Sequence, residues 1–158
     1  MKKLFLAVLL ALGLAFAQSP YAGGHLGLFG GSGVSLFNAG LHFNVGLHAG
    51  MPLGPGMPEV RAGLDFTSAA GRLITGFSGD VLLPLAVPDL PATPYLGAGA
   101  NFWLSAGNTD FGVHGTLGIR ASLPGAPVVG FVEFQPTYAF GGGGSFLYYL
   151  KVGANLGF

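Results

Sequence analysis

The sequence predicts an all-β fold, an eight-stranded antiparallel up-and-down β-barrel that spans a membrane, and three observations support this. The 158 residues are 51% hydrophobic but only 8% charged, whereas soluble domains have about 25% charged residues. Beyond residue 17, glycine interrupts the apolar runs before they approach the roughly 18 residues of a membrane-spanning helix. Apolar residues instead recur at every second position in eight segments, which is the period of a β-strand.

Residues 1–17 have the composition of a secretory signal peptide. Two lysines precede an apolar stretch, and small residues occupy the positions of a cleavage motif. We expect cleavage between Ala17 and Gln18, which leaves 18–158 as a single barrel domain.

The charge and cysteine content exclude several functional classes. Removing the two lysines of the predicted signal peptide leaves four basic and six acidic side chains, so we expect no basic patch that could bind nucleic acid. The chain has no cysteine, which excludes disulfides, thiolate metal sites and cysteine nucleophiles. The sequence predicts no cofactor.

Four strands are predicted in the amino-terminal half, each with one apolar face. In the first strand Leu26 and Leu28 share that face, and a flexible glycine-rich loop is expected at 30–35. The second strand has the clearest alternation and the fourth has the weakest. Residues 50–58 include three prolines, which lack the N–H group that a ladder needs, so we expect pairing to stop before them. The predicted bounds are 21–29, 37–49, 59–67 and 72–83.

Four more strands follow a second proline-rich connection at 84–94. A polar loop at 105–110 has the residues of a turn, 123–127 contains two prolines, and 141–144 is a run of glycines before the last strand. About ten residues is the length of a tilted membrane-spanning strand. The predicted bounds are 95–104, 111–121, 128–137 and 146–158.

Nearly every ionisable side chain in these strands lies on the face opposite the apolar one. Arg or Lys facing lipid at mid-bilayer costs roughly 2–4 kcal/mol, so the polar face is expected to line the barrel interior. That interior is just wide enough to be filled by side chains when there are eight strands. We therefore predict a lumen charge network that plugs the barrel. Its members are Glu59, Arg61, Asp65, Arg72, Asp80, Arg120, Glu133 and Lys151.

Two functional alternatives to a plugged barrel arise from the inward residues. Inward glycines such as Gly99 and Gly118 could leave a narrow, porin-like pore for ions or small solutes, or could make room for large inward side chains. His114 and Thr116, with Glu133 on the next strand, suggest more remotely a lipid-modifying hydrolase. In that arrangement threonine occupies the position where a serine nucleophile is expected.

A metal site is a further possibility, because His42, His48 and His114 are all predicted to point inward. However, His42 and His48 are six residues apart on one strand, which separates them by about 20 Å. Hydrogen bonding in the lumen is the preferred interpretation.

An even strand count places both termini on one side, which in bacterial barrels is the periplasm. The connections at 30–35, 68–71, 105–110 and 141–144 would then face outward. The proline-rich connections on the other side are longer, the reverse of the usual arrangement. Aromatic residues are expected to form a girdle near the outer ends. They are Phe29, Phe37, Phe66, Phe102, Phe111, Tyr138 and Phe146.

The signal peptide, the alternating strands and the terminal Phe158 resemble the small eight-stranded bacterial outer-membrane barrels of the OmpA-membrane-domain and OmpX type. The resemblance covers 18–158 and is one of pattern. It implies a monomer in the cell outer membrane of a Gram-negative-type envelope, in contact with outer-membrane lipid. It also implies a structural or surface role without catalysis.

The same resemblance implies partners during biogenesis, namely the secretion translocon and the barrel-assembly machinery. In that family the assembly machinery reads an alternating last strand with a carboxy-terminal aromatic residue. By resemblance, the assembly signal is carried by Phe146, Tyr148, Leu150, Val152, Leu156 and Phe158.

Overall fold

The computed structural model of the chain is a closed barrel of eight antiparallel strands, which confirms the predicted fold class. It describes residues 19–21, 23–35, 40–69, 71–141 and 144–158. The predicted signal peptide at 1–17 lies outside the described residues. The strands are β1 (His25–Ser35), β2 (Leu41–Pro52), β3 (Glu59–Ala69), β4 (Arg72–Pro84), β5 (Thr93–Ser105), β6 (Asn108–Ser122), β7 (Val128–Ala139) and β8 (Ser145–Gly157).

Each strand pairs with its neighbours in sequence, and β8 closes the barrel against β1. The described part of the chain has no helix that is long and apolar enough to cross a membrane.

The strands are staggered, and the stagger determines which side chains share a level of the interior. A path of paired residues that starts at His25 goes once around the barrel and returns to β1 at Ser35, ten residues further on. Such a stagger requires the strands to tilt, typically by about 35–45°. The path passes through Gly50, Arg61, Asp80, Gly99, His114, Thr137 and Leu147. Residues far apart in sequence thus meet inside the barrel.

The period-two faces follow the sequence prediction. Leu28 in β1 is 68% exposed on the outer surface, and Val45 and Val152 are also exposed there. Glu133 in β7 points inward and is only 1% exposed. The barrel is therefore apolar outside and polar inside, the opposite of a soluble barrel.

The sequence analysis predicted a glycine-rich loop at 30–35, and this prediction was wrong, because those residues belong to β1. They pair with β2 on one side and with β8 on the other. A Cβ atom on Gly33 would lie 2.5 Å from the ring of Tyr149, so this glycine provides room for a large neighbour. The prediction was wrong because glycine serves close packing here, and β1 also begins at His25 and not at residue 21.

The ends of several other strands were also placed wrongly. Gly50, Met51 and Pro52 continue β2, and Pro52 pairs with Glu59 as the last residue of the strand. The polar loop expected at 105–110 is a two-residue turn, since Ser105 pairs with Asn108. Both turn residues, Ala106 and Gly107, have positive φ angles of 35° and 90°, as in the primed turns of tight hairpins. Ser68 and Ala69 likewise belong to β3.

The predicted aromatic girdle is largely an outward feature, with one exception. Phe66, Phe111 and Phe146 are exposed near the end of the barrel opposite the termini. Phe29 does not belong to this outer girdle, because it lies inside the barrel and is only 7% exposed. It shares the inward face of β1 with His25, and the strand continues past it to Ser35. Phe37 lies outside the described residues.

Candidate functional site

The barrel interior contains most of the charged side chains that the sequence assigned to it. Arg72 is exposed at the start of β4. The other seven predicted members are buried inside the barrel. They are Glu59, Arg61, Asp65, Asp80, Arg120, Glu133 and Lys151.

A central cluster is organised around Arg61 of β3. Its Nε donates a hydrogen bond to Asp80 Oδ2 at 3.3 Å. Nη1 and Nη2 donate to the two carboxylate oxygens of Glu133, Nη2 at 3.2 Å. This is the bidentate arrangement in which charge-assisted hydrogen bonds are strongest. One guanidinium group therefore forms ion pairs with two buried carboxylates on different strands.

Neighbouring polar side chains extend the central cluster. The Tyr95 hydroxyl donates to Glu133 Oε1 at 2.7 Å. His114 Nε2 lies 2.6 Å from Asp80 Oδ1, and Gln135 Nε2 donates to the Thr116 hydroxyl at 3.3 Å. Side chains from β3, β4, β5, β6 and β7 thus meet near the middle of the interior.

A second cluster lies towards the end that carries the termini. Arg120 Nη1 donates to Glu59 Oε2 at 2.8 Å, and His25 Nε2 is 3.5 Å from Glu59 Oε1. The guanidinium carbon of Arg120 is 5.2 Å from the ring centre of Tyr21 and 5.1 Å from that of Tyr95. Both distances are within the range of cation–π attraction.

Tyr21 covers this second cluster from the segment that precedes β1. Its ring stacks on His25 with a centroid distance of 4.1 Å, and its hydroxyl accepts a hydrogen bond from Asn155 Nδ2. Asn155 Oδ1 accepts in turn from His48 Nε2 at 2.7 Å. Burial raises the pKa of Tyr21 above its ordinary value, so the hydroxyl stays neutral. The short segment before β1 thus places an aromatic ring over the Arg120–Glu59 pair.

Three predicted network members are not ion-paired with other described residues. The Nζ atom of Lys151 lies 4.7 Å from the ring centre of Phe29, and Lys151 is paired in register with Glu133. Asp65 Oδ1 accepts a hydrogen bond from Thr67 at 3.0 Å. Arg72 lies apart from both clusters at the opposite end. The ion pairs of the described chain therefore involve the remaining members of the predicted network.

Sequence reasoning missed two contributors, His25 and Tyr21. His25 alternates with Leu26 and Leu28 on β1, so period two alone could have placed it inside. Tyr21 was assigned to the first strand, where period two places it on the same face as His25, but no sequence pattern indicated its contact with Arg120. Gln135 and Asn155 lie on the inward faces that period two gives to the last two strands, but their partners depend on the stagger of the strands.

Inward glycines lie beneath large rings. A Cβ atom on Gly118 would lie 2.3 Å from Tyr95, and one on Gly112 would lie 2.7 Å from Trp103. A Cβ atom on Gly99 would meet His114 at the same 2.7 Å. The space left by these glycines is therefore occupied by side chains from neighbouring strands.

Comparison with solved structures shows a likeness of fold. The crystal structure of Neisserial surface protein A (NspA) matches with a TM-score of 0.61 and 16% sequence identity. The match covers 89% of this chain and 100% of that chain. The two proteins share a fold. At this identity the likeness extends to the fold alone, and it does not single out the OmpA or OmpX type. No protein-family model and no curated protein matches the sequence.

The residues considered for catalysis have other partners in the structure. His114 contacts Asp80, Thr116 accepts from Gln135, and Glu133 is held by Arg61. No hydrogen bond joins His114 to Thr116 among the described residues, so the structure contains no assembled nucleophile–base pair at this position. The described residues also contain no group of three potential ligands placed to hold a metal ion.

Proposed function

We propose that the protein is an outer-membrane β-barrel with a structural or surface role, and that its own side chains close the lumen without catalysis. The inside-out surface is the observation that carries this proposal. Large apolar side chains such as Leu28 and Val45 are exposed around the barrel, while Glu59 and Glu133 are buried within it. In water this arrangement would be unfavourable. In a bilayer, lipid covers the apolar surface and only the strand ends meet water.

The ion pair between Arg61 and Glu133 supports a closed lumen. These residues lie on β3 and β7, which are four strands apart in a ring of eight. The pair therefore reaches from one wall of the barrel to the opposite wall. Arg120 and Glu59 make a second crossing between β6 and β3, and Tyr21 covers it. An ion crossing the barrel would have to break both sets of contacts.

Planar-bilayer recording tests the closed lumen against the narrow pore. The refolded protein should insert without producing steady ohmic channels, under conditions in which a known porin conducts. Steady channels from the wild-type protein would contradict the proposal and favour the pore.

If a conductance is seen, substitutions at two adjacent positions on β5 show whether the ions pass through the lumen or around the barrel. Gly99 faces inward against His114, whereas Ala100 is exposed on the outer surface. If the lumen conducts, Gly99→Phe should block the current and Ala100→Phe should leave it unchanged. A leak around the barrel would not be blocked by Gly99→Phe.

The proposed partners are outer-membrane lipid and, during biogenesis, the secretion translocon and the barrel-assembly machinery. Phe158 supports the second contact because it is 74% exposed after the end of β8. We expect Phe158→Ala to lower the amount of protein in the outer membrane several-fold. Phe140→Ala, which removes another exposed phenylalanine outside β8, is the control and should have little effect. Equal insertion of both variants would contradict the assembly role.

A further inference from the structure

The end of the barrel opposite the termini contains a cavity of about 310 Å³. A volume of this size lies at the lower end of the range for small-molecule sites. The two largest side chains in its wall are Trp103 of β5 and Tyr149 of β8, which approach it from strands that are not adjacent. Polar side chains from β1, β2, β5, β6 and β8 and apolar ones such as Ala69 and Leu147 complete the wall.

Two buried polar atoms at this cavity lack hydrogen-bond partners among the described residues. They are Ser35 Oγ and His42 Nε2, and Ser35 is only 2% exposed. Buried polar groups in proteins are nearly always satisfied. A molecule in the cavity that offers hydrogen-bonding groups to both atoms would meet this requirement.

The remaining polar lining is mainly made of hydroxyl and amide groups, including Ser105, Asn108 and Ser145. Such groups both donate and accept hydrogen bonds. They therefore match a ligand that carries hydroxyl groups, because a hydroxyl group also donates and accepts.

Charge narrows the ligand class further. Among the described residues, the lining has one cation, Arg72, and one carboxylate, Asp110. The negative charge of a phosphate would be attracted by the first and repelled by the second, so this lining does not favour an anion. An acyl chain would leave Ser35 and His42 without partners. A neutral molecule with many hydroxyl groups fits both the charge balance and the lining.

We propose that this cavity binds a neutral, hydroxyl-rich ring of monosaccharide size. Trp103 and Tyr149 contact the apolar C–H edges of the ring, and the hydroxyl and amide groups bind its hydroxyls. The site goes beyond the proposed structural role, and it exists whether or not the lumen conducts.

Trp103 is the only tryptophan in the chain, so its fluorescence reports directly on the cavity. The barrel refolded in micelles is titrated separately with glucose, N-acetylglucosamine and inorganic phosphate, with saturation-transfer NMR as a second measure of contact. A saturable change with at least one sugar, and none with phosphate, is the expected result. Neither a fluorescence change nor saturation transfer with any sugar would overturn the proposal, as would a response to phosphate alone.

Two alanines on β3 provide a matched pair of variants. Ala69 is buried and lines the cavity, whereas Ala62 is exposed on the outer surface of the same strand. Ala69→Phe fills the cavity and should abolish the sugar response, while Ala62→Phe should retain it. Ser145→Tyr, on β8, is a second filling variant in case Ala69→Phe does not fold, as judged by heat-modifiable gel migration. A sugar response that persists in a folded filling variant would show that the sugar binds elsewhere.

Discussion

Arg61 makes ion pairs with both Asp80 and Glu133 near the middle of the interior. Arg61→Met would leave these two buried carboxylates without their cation. Removing one partner of a buried ion pair typically costs about 3–5 kcal/mol, and we expect a loss of that size in the free energy of unfolding. Urea titration of the barrel in lipid vesicles, followed by Trp103 fluorescence, measures it.

The chain offers a matched control in Arg72, which is exposed and outside both clusters. Arg72→Met should change the free energy of unfolding by no more than about 0.5 kcal/mol. Adding Glu133→Gln to Arg61→Met should restore part of the loss, because it removes one of the uncompensated charges. Equal losses for the two arginine variants would show that the central ion pairs do not stabilise the barrel.

Tyr21 covers the cluster near the end that carries the termini, and its ring and hydroxyl can be tested separately. Tyr21→Ala removes the stacking on His25 and the contact with Arg120, and should cost about 3 kcal/mol. Tyr21→Phe retains the ring and loses only the bond from Asn155, at a cost of about 1 kcal/mol. The same urea titration measures both. Similar values for the two variants would mean that the ring contributes little.

At the scale of the strands, the seam between β6 and β7 is interrupted. His114 pairs with Thr137 and Leu117 with Phe134, but no pair is formed between these two. Pro136 lies in this gap opposite Gly115, and it has no N–H group to donate. A proline in the middle of a strand that is paired on both sides is unusual. This seam is therefore the expected place for local opening of the barrel.

Amide hydrogen exchange tests the interrupted seam. We expect the amides of Gly115 and Thr116 to exchange faster than their neighbours on β6. Pro136→Val should slow this exchange and raise the free energy of unfolding by about 1 kcal/mol, because it restores a backbone donor. Pro94→Val on β5 is the control, since Pro94 already pairs with Ile119, and it should have little effect. Uniform exchange along β6 would contradict an open seam.

The strands also show what the sequence could and could not predict. Alternation is a local property, so the outward position of Leu47 and the inward position of Glu133 were readable from neighbouring residues. The ends of β1 were not, because glycines that pack beneath rings look the same in sequence as glycines of a loop. The sequence also did not indicate which interior charges form ion pairs with one another. Arg61 reaches Glu133 only because the barrel closes with its particular stagger.

Arg72 illustrates a different limit. The predicted fourth strand already began at residue 72, but the network was assigned from the inward face alone. In the structure β4 begins at Arg72, and the side chain is exposed at the rim, away from both clusters. Period two gives the face of a residue, and a side chain on the inward face at a strand end reaches the rim and not the middle of the lumen.

At the scale of the whole molecule, the outer surface should respond to charge according to depth. Leu47 lies near the middle of β2 and Leu41 is its first residue, and both are exposed on the outer surface. Arginine facing lipid costs about 2–4 kcal/mol at the bilayer midplane and about 0–1 near the interfaces. Leu47→Arg should therefore destabilise the barrel in lipid vesicles much more than Leu41→Arg does.

Measuring the same two variants in lipid vesicles and in short-chain detergent micelles makes this test specific to the bilayer. If the apolar surface of the barrel spans a bilayer, the difference between Leu47→Arg and Leu41→Arg should shrink in short-chain detergent, where the arginine side chain can reach water. Both free energies come from urea titrations of the same two variants. An equal cost at the two positions in vesicles would mean that the outer surface does not face the interior of a membrane. The proposed location would then fail, although the closed barrel and its interior contacts would remain.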